Sequence, residues 1–270
     1  WLRNVSAPSL PPIPLVDLAA QCAPLEQSIR RALLEVVDSK SFIGGAVVEA
    51  CEQEIAAWLG VKHAIGCGNG SDALFLALRA LGIGPGDEVV TVPLTYVATP
   101  EAIARTGARV VFCDVDPATW TLDPRRLAER ITSATRAILP VHLFGQCADH
   151  DAIRAVAGSI PIVEDAAQAF GARYKGRNAG SLGAQAAFSF YPTKPLAACG
   201  DGGMVVCDDD GLARALRRLR VRGESARYTS EVHGINSRLD ALQAAVLRVK
   251  LPWVERWNAG RARVATYYAS

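Results

Sequence analysis

Lys194 is the only base in the stretch Ala186–Gly203, AAFSFYPTKPLAACGDGG, and the nearest charged residue in sequence is Asp201. The short apolar run Ala186–Phe190 has the character of a buried strand ended by Pro192, and the lysine stands just past it. Pro195 disfavours helical torsions at the residue before it, which keeps Lys194 in a turn or an extended segment. GDGG then reverses the chain into a second apolar strand, Met204–Cys207. An amine aimed off a strand end into apolar surroundings gives up part of its hold on a proton and can attack a carbonyl. On an open loop the same lysine is an ordinary surface residue.

Four other polar features fall at expected strand ends. Gly66–Ser71, GCGNGS, lies between a strand and a helix; its glycines admit a close backbone approach, and free N–H groups at the helix start favour a phosphate. Ser71 adds a hydroxyl that could cap that helix. No GK[ST] follows, so this is not a Walker loop, and a GxGxxG fingerprint would need glycine at position 71. Glu164 and Asp165 end a strand in EDAAQAFGA, where a buried carboxylate demands a cationic partner, either a structural ion pair or the protonated ring nitrogen of a ligand. Gln168 follows three residues on. Ser189 precedes Lys194 by five residues on the strand that delivers it, and Tyr96, in PLTYVAT, offers a flat face to a heteroaromatic ring or packs as a rim aromatic.

These residues need a scaffold that gathers strand ends. Helical spacing marks Pro24–Asp38 and Val47–Leu59. Strand His63–Cys67 and helix Ser71–Leu81 follow. After them come strand Glu88–Val92, helix Ala98–Thr106, strand Arg109–Val115, helix Pro124–Ile131, strand Ala137–Leu143, helix His150–Ala157 and strand Ile160–Glu164. The last elements are strands near 186–190 and 203–207 and helices Leu212–Val221, Arg238–Lys250 and Trp253–Ala269. Alternating strands and helices predict an α/β fold with a mostly parallel sheet covered on both faces, and such sheets bind ligands beyond the carboxyl ends of their strands. A phosphate cradle, a carboxylate for a ring nitrogen, an aromatic face and a lone amine together match pyridoxal 5′-phosphate.

Composition narrows the class. Of 270 residues half are hydrophobic and 21% charged, as in soluble globular domains. No apolar run approaches the roughly 18 residues that span a bilayer. The opening WLRNVSAPSLPPIP lacks a basic head and an apolar centre, so no signal peptide is expected and the protein is placed in the cytoplasm. Seven cysteines without a CxxC pair read as buried reduced thiols, and four histidines show no metal-ligand spacing. Net charge is +2, yet residues 211–270 carry twelve Lys/Arg against four Asp/Glu. Arg214, Arg217, Arg218, Arg220 and Arg222 form either a solvated helix face or an attractor for a phosphorylated or acidic partner. Their positive charge is not interleaved with aromatics, which argues against nucleic acid.

In this order the motifs resemble the DegT/DnrJ/EryC1/StrS family of sugar aminotransferases. The resemblance runs from IPLVDLAAQ (13–21) through GNGSDALFLALRALGIGPGDEVVTVP, TYVAT, GARVVFCDVD, PVHLFGQCAD, VEDAAQAFGARYKG, GSLG, FSFYPTKPL and GDGG to GINSRLDALQAAVLRVKL. It implies a fold-type I, pyridoxal phosphate-dependent enzyme that moves an amino group from L-glutamate to a keto group of a UDP- or dTDP-linked sugar, with some leaning toward carbon 3. It implies that Lys194 carries the covalent link to the cofactor and shuttles a proton, that Asp165 holds the ring nitrogen, and that Gln168 lies near the phenolic oxygen. Tyr96 would stack on the ring, and Gly70, Ser71 and Ser189 would bind the phosphate. Asn236 resembles an asparagine that reaches the neighbouring subunit's phosphate, which implies a homodimer with shared sites, and Arg238 resembles a position that meets the nucleotide sugar.

Asn69 and Ser71 stand where Ser and Thr are commoner in the family. Family members continue into a small C-terminal domain; residues 1–250 correspond to a large domain with an N-terminal arm, and 251–270 to the start of the small one. Two related readings are a pyridoxamine-dependent sugar dehydratase, whose relatives carry histidine in place of Lys194, and a non-catalytic regulator on the same fold.

Overall fold

The computed structural model describes residues 16–226 and 228–270. The Pro-rich opening and the first residues of the motif at 13–21 lie outside them. After a short helical segment at Leu18–Cys22 and a turn at Ala23–Leu25 come helices α1 (Glu26–Ser39) and α2 (Ala46–Leu59), the second closed by Gly60 in the left-handed conformation at φ 75°. Strand β1 (His63–Cys67) leads into α3 (Gly70–Ala80), β2 (Glu88–Thr91) into α4 (Ala98–Arg105), and β3 (Arg109–Phe112) through a short helical turn to β4 (Thr135–Leu139). Then follow α5 (His150–Ala157), β5 (Val163–Asp165), β6 (Gln185–Ser189), β7 (Gly203–Cys207), α6 (Asp210–Leu219), α7 (Ala241–Lys250) and α8 (Val254–Ala269).

These seven strands lie in the order β3-β2-β4-β5-β6-β7-β1, a three-stranded sheet joined to a four-stranded one, while Arg173–Tyr174 with Arg177–Asn178 and Glu224–Ala226 with Thr229–Ser230 form two short ribbons apart from them. β2 runs parallel to β3 and β4, β5 runs parallel to β6, and β7 is antiparallel to both of its neighbours. The junction of β4 with β5 consists of two parallel bridges, Ile138–Ile162 and Val141–Asp165. Prolines explain why it is so thin. Pro140 and Pro161 have no N–H to give to a ladder, so β4 stops at Leu139 and β5 begins at Val163, shorter than the runs 137–143 and 160–164 expected. Two of the bonds across it, Ile138 N–H to Pro161 O (3.0 Å) and Asp165 N–H to Pro140 O (2.9 Å), use the prolines as acceptors, and His142 N–H donates to Asp165 O at 3.0 Å.

Alternation along β6 decides which side chains enter which layer. Ala186, Phe188 and Phe190 join the core under α2 and α7, whereas Ala187 joins the core under α3. Phe188 and Phe190 both pack on Phe170 at ring-centroid distances of 5.1 and 6.2 Å, and Phe170 stacks on Trp58 at 4.9 Å. Ser189 therefore points away from the aromatic cluster.

One boundary differs in a way that matters. The helix expected over 238–250 begins only at Ala241. Asn236 bridges Val221, Asp240 bridges Ile43, and Ala241 N–H donates to Phe42 O, so residues 236–240 run extended over neighbouring backbone. Five of the seven cysteines are buried, with Cys22 half-buried and Cys199 exposed, and burial pushes the Cys51 and Cys67 thiols up to about 12. Among the described residues no helix is long and apolar enough to cross a membrane, and no group of three or more His, Cys, Asp or Glu could hold a metal.

Phe188 is fully buried, its ring packed edge-on against Phe170. Phe188→Ala is expected to lower unfolding stability by about 3–5 kcal/mol, read as a shift of the urea midpoint at unchanged slope.

Candidate active site

A cavity of about 690 Å³ opens beyond the carboxyl ends of β1, β5 and β6. It brings together Gly70, Ser71, Tyr96, Asp165, Gln168, Ser189 and Lys194, seven of the nine site residues expected from the sequence. Asn236 and Arg238 do not line it, and neither does any of the five clustered arginines of 214–222. Two of those arginines have structural partners. Arg218 pairs with Glu231, and Arg220 bonds Glu52 Oε1 at 2.5 Å and Gly66 O at 2.7 Å.

The floor is Asp165. It is 5% exposed, and its carboxylate accepts from Thr99 Oγ1 at 2.7 Å and from the Ala167 N–H at 3.2 Å. Burial pushes its pKa up, and those two hydrogen bonds only partly resist. Thr99 is itself held by Thr95 at 2.7 Å, one turn earlier in TYVAT. Neither threonine was expected from the sequence, although their spacing of four at a helix start was there to be read.

The adjacent carboxylate does something different. Strand alternation turns Glu164 to the opposite face, where it is fully buried. Its Oε2 accepts from His142 Nε2 at 2.9 Å and from Gly180 N–H at 2.8 Å, and its Oε1 from the Leu182 and Gly183 N–H groups, both at 2.8 Å. His142 Nδ1 accepts from Ala148 N–H, so the ring proton resides on Nε2 and donates. Burial opposes ionisation of Glu164, but His142 and the loop amides prevail and hold its pKa down. Glu164 thus answers the structural alternative weighed for this pair, tying GSLG to the end of β5, and Asp165 alone faces the cavity.

Lys194 follows a turn closed by its own N–H to Tyr191 O at 2.9 Å. The side chain is half-buried; burial pushes its pKa down, and the charge of Asp165 pulls the other way. Gln168 uses its Oε1 to accept the N–H of Phe144 at 2.7 Å, which leaves its Nε2 hydrogens for the cavity. Phe144 adopts φ 55°, an uncommon conformation for a bulky residue, and holds that N–H in place. Tyr96 is 72% exposed at the mouth.

The glycine-rich loop closes the other end. Asn69, not Ser71, caps α3, its Oδ1 accepting from Asp72 N–H at 2.8 Å; its extended torsions suit a cap, and Ser71 already lies in the first turn. A Cβ at Gly70 would stand 2.6 Å from Ser189 Cβ, so only glycine lets the loop descend onto β6. Gly203 meets the same loop from the other side, against the backbone of Asn69. The result is a cradle of helix-terminal N–H groups and the Ser71 and Ser189 hydroxyls.

Residues 24–270 match the model of the DegT/DnrJ/EryC1/StrS aminotransferase family. The chain is 49% identical to a pleiotropic regulatory protein of Geobacillus stearothermophilus over 95% of its own length and 69% of that protein. It is 46% identical to the UDP-2-acetamido-2-deoxy-3-oxo-D-glucuronate aminotransferase of Pseudomonas aeruginosa, over 95% of this chain and 72% of the relative. Among solved structures, S. venezuelae DesV in complex with a ketimine intermediate superposes with a TM-score of 0.93 at 47% identity, covering 96% of this chain and 70% of that one.

Because burial raises the pKa of Asp165 above its unfolded value, its carboxylate form destabilises the cofactor-free fold. The cost is absent below the ordinary aspartate pKa of about 4 and grows as pH rises through the folded pKa. Cofactor-free Asp165→Asn is therefore expected to melt higher than the parent at neutral pH, with the difference shrinking as the pH falls toward 4; thermal melts across that range measure it.

Proposed function

The chain belongs to the DegT/DnrJ/EryC1/StrS aminotransferase family, and on that premise we propose that it transfers an amino group from L-glutamate to a keto group of a nucleotide-linked sugar. The enzyme is an aminotransferase and its cofactor is pyridoxal 5′-phosphate. The observation that carries the reading is the single cavity in which a half-buried amine, a buried carboxylate and a glycine-built anion cradle converge. The cofactor's chemistry fits each. A phosphate suits the cradle that a Cβ at Gly70 would fill, a protonated ring nitrogen supplies the cation Asp165 lacks, and an aldehyde suits Lys194.

When bound, the cofactor supplies an electron sink conjugated to the nitrogen being moved. The side chains do the rest. Gly70, Ser71 and Ser189 hold the phosphate, and Asp165, oriented by Thr99, keeps a proton on the ring nitrogen. Gln168 offers its amide hydrogens to the phenolic oxygen and Tyr96 covers the ring. Lys194 anchors the cofactor, and its nitrogen, biased toward the free base by burial, accepts and returns the proton at the substrate carbon. Arg238 is assigned to the nucleotide sugar beyond the cavity.

The substrate is read as a UDP- or dTDP-linked keto sugar with amination at carbon 3, in keeping with the relative that acts on a UDP-linked 3-oxo sugar. The pathway is read as polysaccharide biosynthesis in the cytoplasm, where the seven free cysteines would stay reduced. We read residues 251–270 as the start of a second, smaller domain after the large domain 1–250: within α8 only Val254 is buried, while Val264, Tyr267 and Tyr268 are exposed. A homodimer is supported by the exposed apolar side chains around the mouth, among them Tyr96, Val97 and Tyr191. Asn236, outside its own cavity, is assigned to the partner's phosphate. Asn236→Ala should then release cofactor more readily while light scattering still reports a dimer; unchanged retention would remove that assignment.

The relative named as a regulatory protein gives substance to a second reading, a cofactor-binding regulator. Glutamate separates the two. An aminotransferase loses its visible cofactor band on adding glutamate and regains it with an accepted keto sugar, so a panel of 3-keto and 4-keto nucleotide sugars also fixes the carbon. Lys194→Ala should abolish both the band and turnover; normal turnover in that variant would overturn the proposal.

A further inference from the structure

Asp72 is a carboxylate in the first turn of α3, on the wall of the cavity that receives a phosphate. Like charges in one partly desolvated site repel, so its presence there needs a reason. The hydrogen bonds supply one. Oδ2 accepts from Ser237 Oγ at 2.8 Å and from Asn69 Nδ2 at 3.1 Å, and Oδ1 accepts from Arg105 at 3.1 Å. Ser237, 2% exposed, in turn accepts the Gly68 N–H at 2.9 Å, and Asn69 Oδ1 accepts the N–H of Asp72. The side chain of Asp72 thus gathers the cap residue, the serine that holds Gly68, and a cation that cancels its charge. The amides of Gly70 and Ser71 are left with no protein partner among the described residues.

We propose that Asp72, through Ser237 and Arg105, is a positioning residue: it locks the loop Gly68–Ser71 so that the first amides of α3 stand ready for the cofactor phosphate, and Arg105 removes the repulsion the carboxylate would otherwise cause. The extended run 236–240 is what brings Ser237 there; a helix beginning at Arg238 would not lay this segment along the loop. The proposal rests on pyridoxal phosphate occupying this cavity. It gives Asp72 no contact with the reacting atoms.

Pyridoxal, which has the ring and the aldehyde but no phosphate, separates positioning of the cradle from general damage. Cofactor-free full-length protein is titrated with pyridoxal 5′-phosphate and with pyridoxal, following the visible band. In Ser237→Ala and in Asp72→Asn, affinity for pyridoxal phosphate should fall about ten-fold, the worth of one buried or charge-assisted hydrogen bond. Affinity for pyridoxal and the band position should not move. Ser237→Thr, which keeps the hydroxyl, should bind like the parent. Equal losses for both ligands, or no loss for either, would overturn the proposal. So would tighter phosphate binding in Asp72→Asn, because the carboxylate would then be only a repulsive charge. If Ser237→Ala fails to fold, the near-isosteric Asp72→Asn decides alone. A parent protein that gives no band with pyridoxal phosphate would instead remove the cofactor assignment itself.

Discussion

A carboxylate removed from water needs a cation or enough donors to replace its hydration, and Asp165 has only two neutral donors. Much of the site follows from that deficit. The thin junction between β4 and β5 delivers Asp165 to the cavity floor, because Pro140 accepts the N–H of Asp165 where a longer ladder would have carried the strand on. Thr99, at the start of α4, fixes one carboxylate oxygen and Ala167 the other. What remains unmet is a positive charge, and under the proposed function a protonated pyridine nitrogen would bring one, together with a flat ring and a phosphate for the other walls.

The same floor depends on strand alternation. Glu164 and Asp165 are consecutive and chemically alike, yet opposite faces of the sheet give them opposite fates. Glu164 meets His142 and three loop amides and is held ionised as part of the fold, so the GSLG loop is secured without spending Asp165 on it. On β6 the rule repeats. Phe188 and Phe190 go to the aromatic core, and Ser189 between them goes to the glycine loop, where the missing Cβ of Gly70 lets the two backbones approach. A single-residue slip in either strand would exchange the structural and functional side chains.

Much of this was legible in the sequence. The order of strands and helices, the lone lysine before a proline and the glycine-rich strand–helix turn carry local signals, and the structure gathers seven of the expected residues in one cavity. What was not legible depends on contacts distant in sequence. Ser237 bonds a backbone N–H 169 residues earlier, and no periodicity in GINSRLD announces it. The helix start was misplaced at Arg238 because apolar spacing is blind to a backbone bridge with Ile43. The cap was assigned to Ser71 although Asn69 is as good a capping residue, a choice that rests on torsions rather than composition.

The relation between Lys194 and Asp165 shows why the cavity is built of separated charges. Were the ammonium to pair directly with the carboxylate, each would satisfy the other: the lysine would be pinned in its protonated form and the aspartate would have no need of a ring nitrogen. No ion pair joins them among the described residues, and the pull of the Asp165 charge on the lysine is outweighed by burial. The strand geometry places them in one cavity on adjacent strands, β5 and beyond β6, close enough to act on one ligand. The amine is left without an anion and the carboxylate without a cation for the same reason, and under the proposed function one ligand that bridges the gap would meet both.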